Sequence, residues 1–194
     1  MTTTDLSLDA IRDALPDYAR DLKLNLGSVL TTTGAPGLDE KQVWSIALAS
    51  AIAARNTGFA RAIEALAKAK LADVEVEGAK AAAAIMGMNN IYYRFLHLVE
   101  DNEYQSMPAR LRMNVIANHG IDKLDFELIS LAVSAVNGCG LCVTSHEKKL
   151  RSHDVSREAI QSAVRIAATI HAVAGVLEFE QSQPLATSPT ELAA

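Results

Sequence analysis

Residues 123–146 read KLDFELISLAVSAVNGCGLCVTSH, and this stretch decides the fold. Its first part, residues 123–136, is apolar on nearly every side except at Glu127, a pattern that favours a buried helix. Asn137 and Gly138 follow, and Asn-Gly is a strong turn signal. A second helix can begin directly after the turn. We therefore predict an antiparallel helical hairpin in which the chain reverses at this turn.

The hairpin would bring chemically active side chains together. Glu127 lies ten residues before Asn137, and His146 lies nine after it, so the two should face each other across the hairpin. On the second helix Cys142 and His146 are spaced i, i+4, and Cys139 and Cys142 are spaced i, i+3, so all three project from one face. The predicted cluster consists of Glu127, His146, Cys142 and Cys139.

Each member of this cluster has a task in thiol chemistry. A thiol with a pKa of about 8.5 is roughly one-tenth thiolate near pH 7.5, and a neighbouring imidazole or helix N-terminus raises that fraction. A carboxylate behind the imidazole fixes its tautomer, as in a catalytic triad. A second thiol can condense with a sulfenic acid on the first and close a disulfide. The helix dipole favours Cys139 as the attacking thiol, but His146 can deprotonate Cys142 directly, so we predict Cys142.

The composition indicates a helical protein and disfavours two classes of partner. The chain has 194 residues, enough for one domain; hydrophobic residues make up 49% and aromatic residues only 5%, which suits packed Ala- and Leu-rich helices. With a net charge of -5 and only Lys148 and Lys149 adjacent among the basic residues, a nucleic-acid groove is disfavoured. Apolar stretches at 46–54 and 81–86 are shorter than the roughly 18 residues of a membrane span. Residues 1–5 lack secretory-signal features, so we expect a soluble, cytoplasmic protein.

Apolar spacing predicts helices along most of the chain. A stripe from Leu8 to Leu22 is divided by Pro16, and Asp39 can cap a helix that continues to about Arg55. Further helices are predicted over residues 59–71 (starting at Thr57), 74–86, 90–99, 123–136, 141–152 and 156–177, with a loop over 31–37. We therefore expect one compact all-α domain over residues 1–180, followed by a flexible C-terminal tail over 181–194.

A weak internal repeat accompanies this pattern. At an offset of 84 residues, Ser50-Ala51-Ile52 aligns with Ser134-Ala135-Val136, and Arg55 aligns with Cys139. The chain can therefore be read as two related helical halves, of which only the second carries thiols. Chance similarity between Ala-rich helices is the alternative.

The chain resembles the alkylhydroperoxidase D family of the carboxymuconolactone decarboxylase-like superfamily. The resemblance rests on residues 113–146, with their Glu, Cys-x-x-Cys and His, on AAIMGMNNIYYR (83–94) and on LPDYARDLKLNL (15–26), and it covers most of residues 8–178. It implies an all-helical homotrimer with peroxidase and disulfide-reductase activity. We expect no bound cofactor, because the sequence contains no Gly-rich phosphate loop. The implied electron donor is a dihydrolipoyl group on a lipoylated carrier protein, and the implied client is a peroxiredoxin (AhpC-like).

The resemblance also implies a role for each member of the cluster. Cys142 would be the peroxidatic cysteine that becomes a sulfenic acid, Cys139 the proton donor and resolving thiol, and His146 with Glu127 the proton relay. One departure is visible, because the family often has His directly before the second cysteine, where this chain has Leu141.

Other interpretations of these residues stay open. The two cysteines can be inert small hydrophobes, or half of a zinc site completed by His146 and by Glu127 or His153. The protein can also be a decarboxylase or lactone-processing enzyme that needs no dithiol, or a non-enzymatic redox-sensing module. Glu127 can simply pair with Lys123 on the helix surface.

Two further groups of residues receive a structural interpretation. Met86, Met88, Asn89-Asn90 and Tyr92-Tyr93 could line a substrate pocket, but we favour core packing and a helix junction. We assign no role to the remaining histidines, which are His97, His119, His153 and His171.

Overall fold

The computed structural model describes residues 7–99 and 101–181, and every regular element in these two ranges is helical. In this part of the chain the α-helices are α1 (Leu8–Asp13), α2 (Arg20–Val29), α3 (Glu40–Ala53), α4 (Thr57–Ala67), α5 (Asp73–Val99), α6 (Asn102–Ser106), α7 (Lys123–Val136), α8 (Gly140–Arg151) and α9 (Arg157–Gln181). Short 3-10 helices occupy Asp17–Ala19 and Asn114–Ile116. The all-α prediction is confirmed.

Two helices, α3 and α7, form the centre of the core. α3 packs against α4, α5, α7 and α9, and α7 packs against α3, α5, α8 and α9. Every residue of α3 from 43 to 51 is buried, as is every residue of α7 from 125 to 134 except Glu127. Many of these residues are Ala or Ser, whose small side chains let helix axes approach closely. Between residues 125 and 134 of α7, Glu127 is therefore the one side chain that is not buried. It is also the residue that interrupts the apolar pattern of the sequence.

The N-termini of the two central helices are tied together by one hydrogen-bond network. Asp39 caps α3 as predicted, and a capping box joins its side chain and backbone to Gln42. The Gln42 amide also donates to the buried Asp125 carboxylate on α7 at 2.7 Å, and the Lys41 ammonium lies 2.7 Å from the same carboxylate. The hydrogen bond from Lys41 to the Asp125 carboxylate raises the pKa of Lys41. The network fixes the first turn of α7, two residues before Glu127.

The predicted helix junction at Asn89-Asn90 is wrong. The sequence favours two helices over 74–86 and 90–99, whereas α5 runs without a break from Asp73 to Val99. Asn residues interrupt a helix when their side chains bond to the local backbone. Here the Asn90 side chain instead bonds to Ser134 and Asn137 on the neighbouring hairpin, so the backbone of α5 stays helical.

Most other predicted boundaries agree with the structure to within a few residues, but α2 continues to Val29, seven residues beyond the predicted stripe, and the short helix α6 was not predicted. Pro16 separates α1 from the short 3-10 helix that leads into α2. Predicted residues 141–152 and 156–177 correspond to α8 and α9. The tail predicted over 181–194 lies outside the described residues apart from Gln181, which ends α9.

In the described ranges α9 is the one helix whose length and composition would suit a membrane span. Its best 18-residue window has a mean hydropathy of 1.4, enough by length and composition for a membrane span, but half of that window is buried inside the protein. The buried side chains of α9 include Ile166, Ile170, Val173 and Leu177. Such burial is typical of the core helix of a globular protein. The apolar stretches recognised in the sequence, at 46–54 and 81–86, do not include this helix.

A buried carboxylate links α4 to α5. Glu64 accepts hydrogen bonds from Arg61 at 2.7 Å and Lys80 at 2.8 Å, and Lys68 lies 3.3 Å away. Its side chain is only 9% exposed. Hydrogen bonds from Lys80 and then Arg61 lower the pKa of Glu64 from its usual 4.5 to about 2. Folding therefore favours the charged form of this carboxyl group.

We expect Glu64→Gln to lower the free energy of unfolding near neutral pH by on the order of 2 kcal/mol. Because the folded pKa is depressed, the charge stabilises the protein fully above pH 4.5 and progressively less toward pH 2. The difference between wild type and variant should shrink accordingly in urea titrations between neutral pH and about pH 3. Glu77→Gln is the control, since the Glu77 side chain pairs with Lys80 but is 72% exposed. A pH-independent Glu64→Gln difference would contradict this account.

Candidate active site

The chain reverses between α7 and α8 through a glycine-dependent helix cap. Asn137 ends α7 in a helical conformation, and Gly138 follows with a φ of 68°, a left-handed conformation that favours glycine. The amides of Gly138 and Cys139 donate to the carbonyls of Ala135 and Ser134. This is a Schellman motif, in which the two bonds close the last turn of a helix. The Asn-Gly turn and the antiparallel hairpin predicted from it are confirmed.

The two cysteines stand at the start of α8 and are joined by a disulfide. Cys139 is the N-cap residue, and its Sγ accepts a hydrogen bond from the Cys142 amide at 3.3 Å. Cys139 is 0% exposed, whereas Cys142 is 7% exposed and borders an open cleft. The structure therefore shows the oxidised state of the pair, with one sulfur enclosed and the other at the cleft wall.

A carboxylate and an imidazole meet across the hairpin as the residue count predicts. Glu127 Oε2 on α7 lies 2.7 Å from His146 Nδ1 on α8. The two side chains are 22% and 17% exposed, so the pair is largely shielded from water. If Nδ1 carries the proton, it donates to the carboxylate and leaves Nε2 as the free base. Glu127 therefore pairs with His146 and not with Lys123, which was the alternative interpretation.

The cleft beside Cys142 has a volume of about 420 Å³, and we call it the thiol cleft. Its lining is apolar apart from a few polar groups, and it brings together α5, α7, α8 and the segment before α7. The lining residues are Met86, Asn89, Tyr93, Met113, Ile116, Phe126, Glu127, Leu141, Cys142, Ser145 and His146. Met86, Asn89 and Tyr93 therefore form the pocket wall that the sequence analysis mentioned but did not favour.

A second set of polar residues holds the hairpin turn against α5, and the sequence analysis did not predict it. The Asn90 amide donates to Ser134 Oγ at 2.8 Å, and its Oδ1 accepts from the Asn137 amide at 3.0 Å. Arg94 Nη1 donates to the Asn137 carbonyl at 2.7 Å. These bonds clamp the turn directly before the first cysteine. They join residues more than forty positions apart, a relation that local spacing does not reveal.

His119, which received no role, lies behind the cleft wall. Its ring stacks on Phe126 with 4.1 Å between ring centroids. Partial burial lowers the pKa of His119 because it disfavours the charged ring. Within residues 7–99 and 101–181 no three His, Cys, Asp or Glu side chains form a group able to hold a metal ion. In the disulfide state the two cysteines also offer no thiolate ligand.

Comparison with known proteins places this geometry in a family. A sequence profile described as the carboxymuconolactone decarboxylase family matches residues 102–179, which include α7, α8 and most of α9. The alkyl hydroperoxide reductase AhpD of Rhodospirillum centenum is 56% identical over 90% of this chain and 92% of its own length. That of Maricaulis maris is 54% identical over 90% and 99%, and that of Hyphomonas neptunium 52% over 95% and 99%. With such identity along nearly the whole length, the chain belongs to the AhpD family of the carboxymuconolactone decarboxylase-like proteins.

Proposed function

We propose that the protein is a thiol-dependent alkyl hydroperoxide reductase. The observation that carries the proposal is the Cys139–Cys142 pair, which forms a disulfide and places Cys142 in the thiol cleft beside the Glu127–His146 pair. The relatives, which are named alkyl hydroperoxide reductases, support the same activity. A decarboxylase would have no use for the dithiol.

The proposed cycle starts from the reduced pair. His146 takes the proton of Cys142, and the thiolate attacks the outer oxygen of the hydroperoxide. Two electrons pass from sulfur into the O–O bond, which breaks. The inner oxygen leaves as an alkoxide and takes the proton back from His146, giving an alcohol and Cys142 sulfenic acid. Cys139 then attacks the sulfenic sulfur, the disulfide forms, and hydroxide leaves with the Cys139 proton as water.

The lining of the thiol cleft favours organic hydroperoxides. Five apolar side chains, Met86, Met113, Ile116, Phe126 and Leu141, provide a surface for an alkyl or aryl group. Leu141 is 42% exposed and stands at the cleft where the family often has an imidazole. A hydrophobic rim at this position should increase the preference for bulky apolar peroxides over hydrogen peroxide.

The proposed electron donor is a dihydrolipoyl group on a carrier protein, and the proposed client is a peroxiredoxin. A dithiol reduces the protein disulfide by two successive exchange steps, which leave the donor oxidised and both cysteines reduced. This cycle requires a reducing compartment, and we therefore place the protein in the cytoplasm. No resident cofactor takes part in the proposed cycle.

The proposal is tested by reducing the protein and following single-turnover reaction with cumene hydroperoxide, then steady-state turnover with and without a lipoylated carrier and its reductase. We expect stoichiometric sulfenate or disulfide formation and carrier-dependent turnover. Failure of the reduced thiols to react with any organic hydroperoxide would overturn the proposal. Activity of a thiol-free variant on a lactone or carboxylate substrate would favour the decarboxylase.

We also propose that the subunits associate as a homotrimer through one exposed surface. Large apolar side chains project from the end of α5 and the segment after it, which we call the outer apolar surface. Its members are Ile91, Phe95, Leu98, Val99, Tyr104, Met107 and Leu111, each between 38% and 72% exposed. Phe95 and Tyr104 form an edge-on ring pair at 5.4 Å, so α6 extends the surface. Contiguous exposed apolar surface is typical of a protein interface.

Leu98→Asp is expected to dissociate the trimer, because Leu98 is 72% exposed in the subunit and an Asp there would be buried unpaired in the assembly. Light scattering after size-exclusion chromatography should give the mass of one subunit, with the circular dichroism spectrum unchanged. Leu24→Asp is the matched control, since Leu24 is 58% exposed on α2. A monomeric wild type, or a trimer that survives Leu98→Asp, would contradict the proposal.

The positions at which the helices begin support a further proposal, that the two halves of the chain descend from one helical unit. After the offset of 84 residues, α3, α4 and α5 begin within one residue of α7, α8 and α9. The second half contains the cysteines, and the first half has Arg55 where Cys139 aligns. The thiol chemistry would then belong to one copy of a repeated scaffold.

A further inference from the structure

One polar group in the thiol cleft has no partner within the protein. Asn89 is 4% exposed, and its side-chain Oδ1 makes no hydrogen bond. Among the residues that the structure describes, the hydroxyls of Ser50 and Ser130 share this property, but of these three groups Asn89 is the one that lines the cleft with Cys142. A buried acceptor without a donor is destabilising, so the group is expected to have a use.

The orientation of Asn89 is set by its helix. Met86, Asn89 and Tyr93 are spaced i, i+3, i+7 along α5 and all line the cleft, so one stripe of α5 forms this wall. The next residue, Asn90, points about 100° away around the helix and is held by Ser134 and Asn137 of the hairpin. The clamp on Asn90 therefore fixes the rotation of α5 and with it the direction of Asn89.

The other polar side chains that line the cleft are engaged within the protein or, in the case of Ser145, exposed to water. Glu127 and His146 bond to each other, and the Tyr93 hydroxyl lies 4.0 Å from Met113 Sδ. Asn89 thus carries an uncommitted carbonyl oxygen in the α5 wall of the cleft. The oxygen is itself buried, so a ligand that supplies the missing donor reaches it through a small shift of the Asn89 side chain. A hydroperoxide supplies one such donor, the O–H of its outer oxygen, next to an organic group that suits the apolar lining.

We propose that Asn89 binds the outer O–H of the hydroperoxide and holds that oxygen in line for attack by Cys142; the inference rests on the function proposed above. Sulfur attacks the outer oxygen, the O–O bond breaks, and the inner oxygen leaves as alkoxide to be protonated through His146. The outer oxygen and its hydrogen end on sulfur as the sulfenic acid. The hydrogen bond to Asn89 is therefore present before and after transfer, and it is released when Cys139 displaces the hydroxyl as water.

Asn89→Leu removes the amide at nearly constant volume and provides the test. We expect the second-order rate constant of the reduced protein with cumene hydroperoxide to fall about ten- to a hundredfold. The rate of Cys142 alkylation by iodoacetamide across pH should stay within about twofold, because thiolate formation depends on His146 and not on the amide. The melting temperature should stay equal or rise, since a buried unpartnered polar group has been removed. Asn89→Gln, which keeps an amide, should recover part of the peroxide rate.

Asn90→Leu is the matched control on the same helix. It deletes one buried and one partly buried hydrogen bond, so it should lower the melting temperature, opposite to Asn89→Leu. Equal peroxide rates for wild type and Asn89→Leu would overturn the inference, as would a parallel loss of alkylation and peroxide rates. If Asn89→Leu does not fold, Asn89→Ala gives the same comparison. A wild type that does not react with hydroperoxides would instead overturn the proposed function, and this inference with it.

Discussion

Replacing Cys142 by Ser is expected to abolish dithiol-dependent hydroperoxide turnover, with a loss of at least about a thousandfold. A serine hydroxyl is not ionised near neutral pH and cannot transfer two electrons to the O–O bond. Cys142 is also the member of the pair that borders the thiol cleft. The measurement is steady-state peroxide consumption with dithiothreitol or a dihydrolipoyl donor. Full activity of Cys142→Ser would contradict the mechanism.

Cys139→Ser separates attack from resolution and serves as the matched control. This variant should still consume one equivalent of hydroperoxide and form a sulfenic acid that dimedone traps on Cys142. It should not form the intramolecular disulfide, so turnover with a dithiol should slow strongly. Both substitutions remove the same disulfide, and any loss of stability should therefore be similar in the two variants. The difference between their single-turnover reactions isolates the role of Cys142. Dimedone labelling at Cys139 in Cys142→Ser would reverse the assignment.

Replacing His146 by Ala is expected to reduce the rate of peroxide attack about a hundredfold, the usual size of a general-base contribution. Without the imidazole, the alkylation rate of Cys142 should reach its half-maximum at a higher pH. Glu127→Gln should act in the same direction but less strongly, because it removes the group that orients Nδ1 at 2.7 Å and not the base itself. The pH profile of iodoacetamide alkylation measures both effects.

The double variant shows whether the two residues act as a unit. In the proposed mechanism Glu127 acts through His146, so the rate of Glu127→Gln/His146→Ala should match that of His146→Ala alone. His171→Ala is the control, because His171 is exposed on α9. Additive losses in the double variant would mean that Glu127 acts independently of the imidazole.

The hairpin and its contents were predictable because their determinants are local. The apolar face of α7, the Asn-Gly turn and the spacing of Cys142 and His146 all lie within 24 residues, and the turn reverses the helix direction. Counting residues from that turn therefore places Glu127 opposite His146, where the structure has them. A carboxylate within a largely buried helix such as α7 is also expected to have a partner, because an unpaired charge is rarely buried.

The opposite wall of the cleft was not predictable in the same way. Asn89 and Asn90 look like a break in a helix when only local propensity is considered. Their environment is set by α7 and the turn, more than forty residues further along the chain, which bond to Asn90, while Asn89 lines the cleft together with Cys142. Tertiary hydrogen bonds thus outweighed the local tendency of Asn to interrupt a helix. The residue spacing within α5 does not reveal hydrogen-bond partners so far away in the sequence. The outer apolar surface was missed for the related reason that apolar spacing alone does not distinguish buried positions from exposed ones.

In the proposed cycle, the burial of Cys139 determines the order in which the hydroperoxide and the reducing dithiol react with the protein. With this sulfur fully buried, an incoming dithiol can attack the disulfide only at Cys142, through the same opening that admits the hydroperoxide. The two substrates must then take turns, oxidant first and reductant second, with the alcohol leaving before the donor enters. For the proposed cycle we therefore expect ping-pong steady-state kinetics with parallel double-reciprocal lines, and at high concentration each substrate should compete with the other for the opening of the thiol cleft.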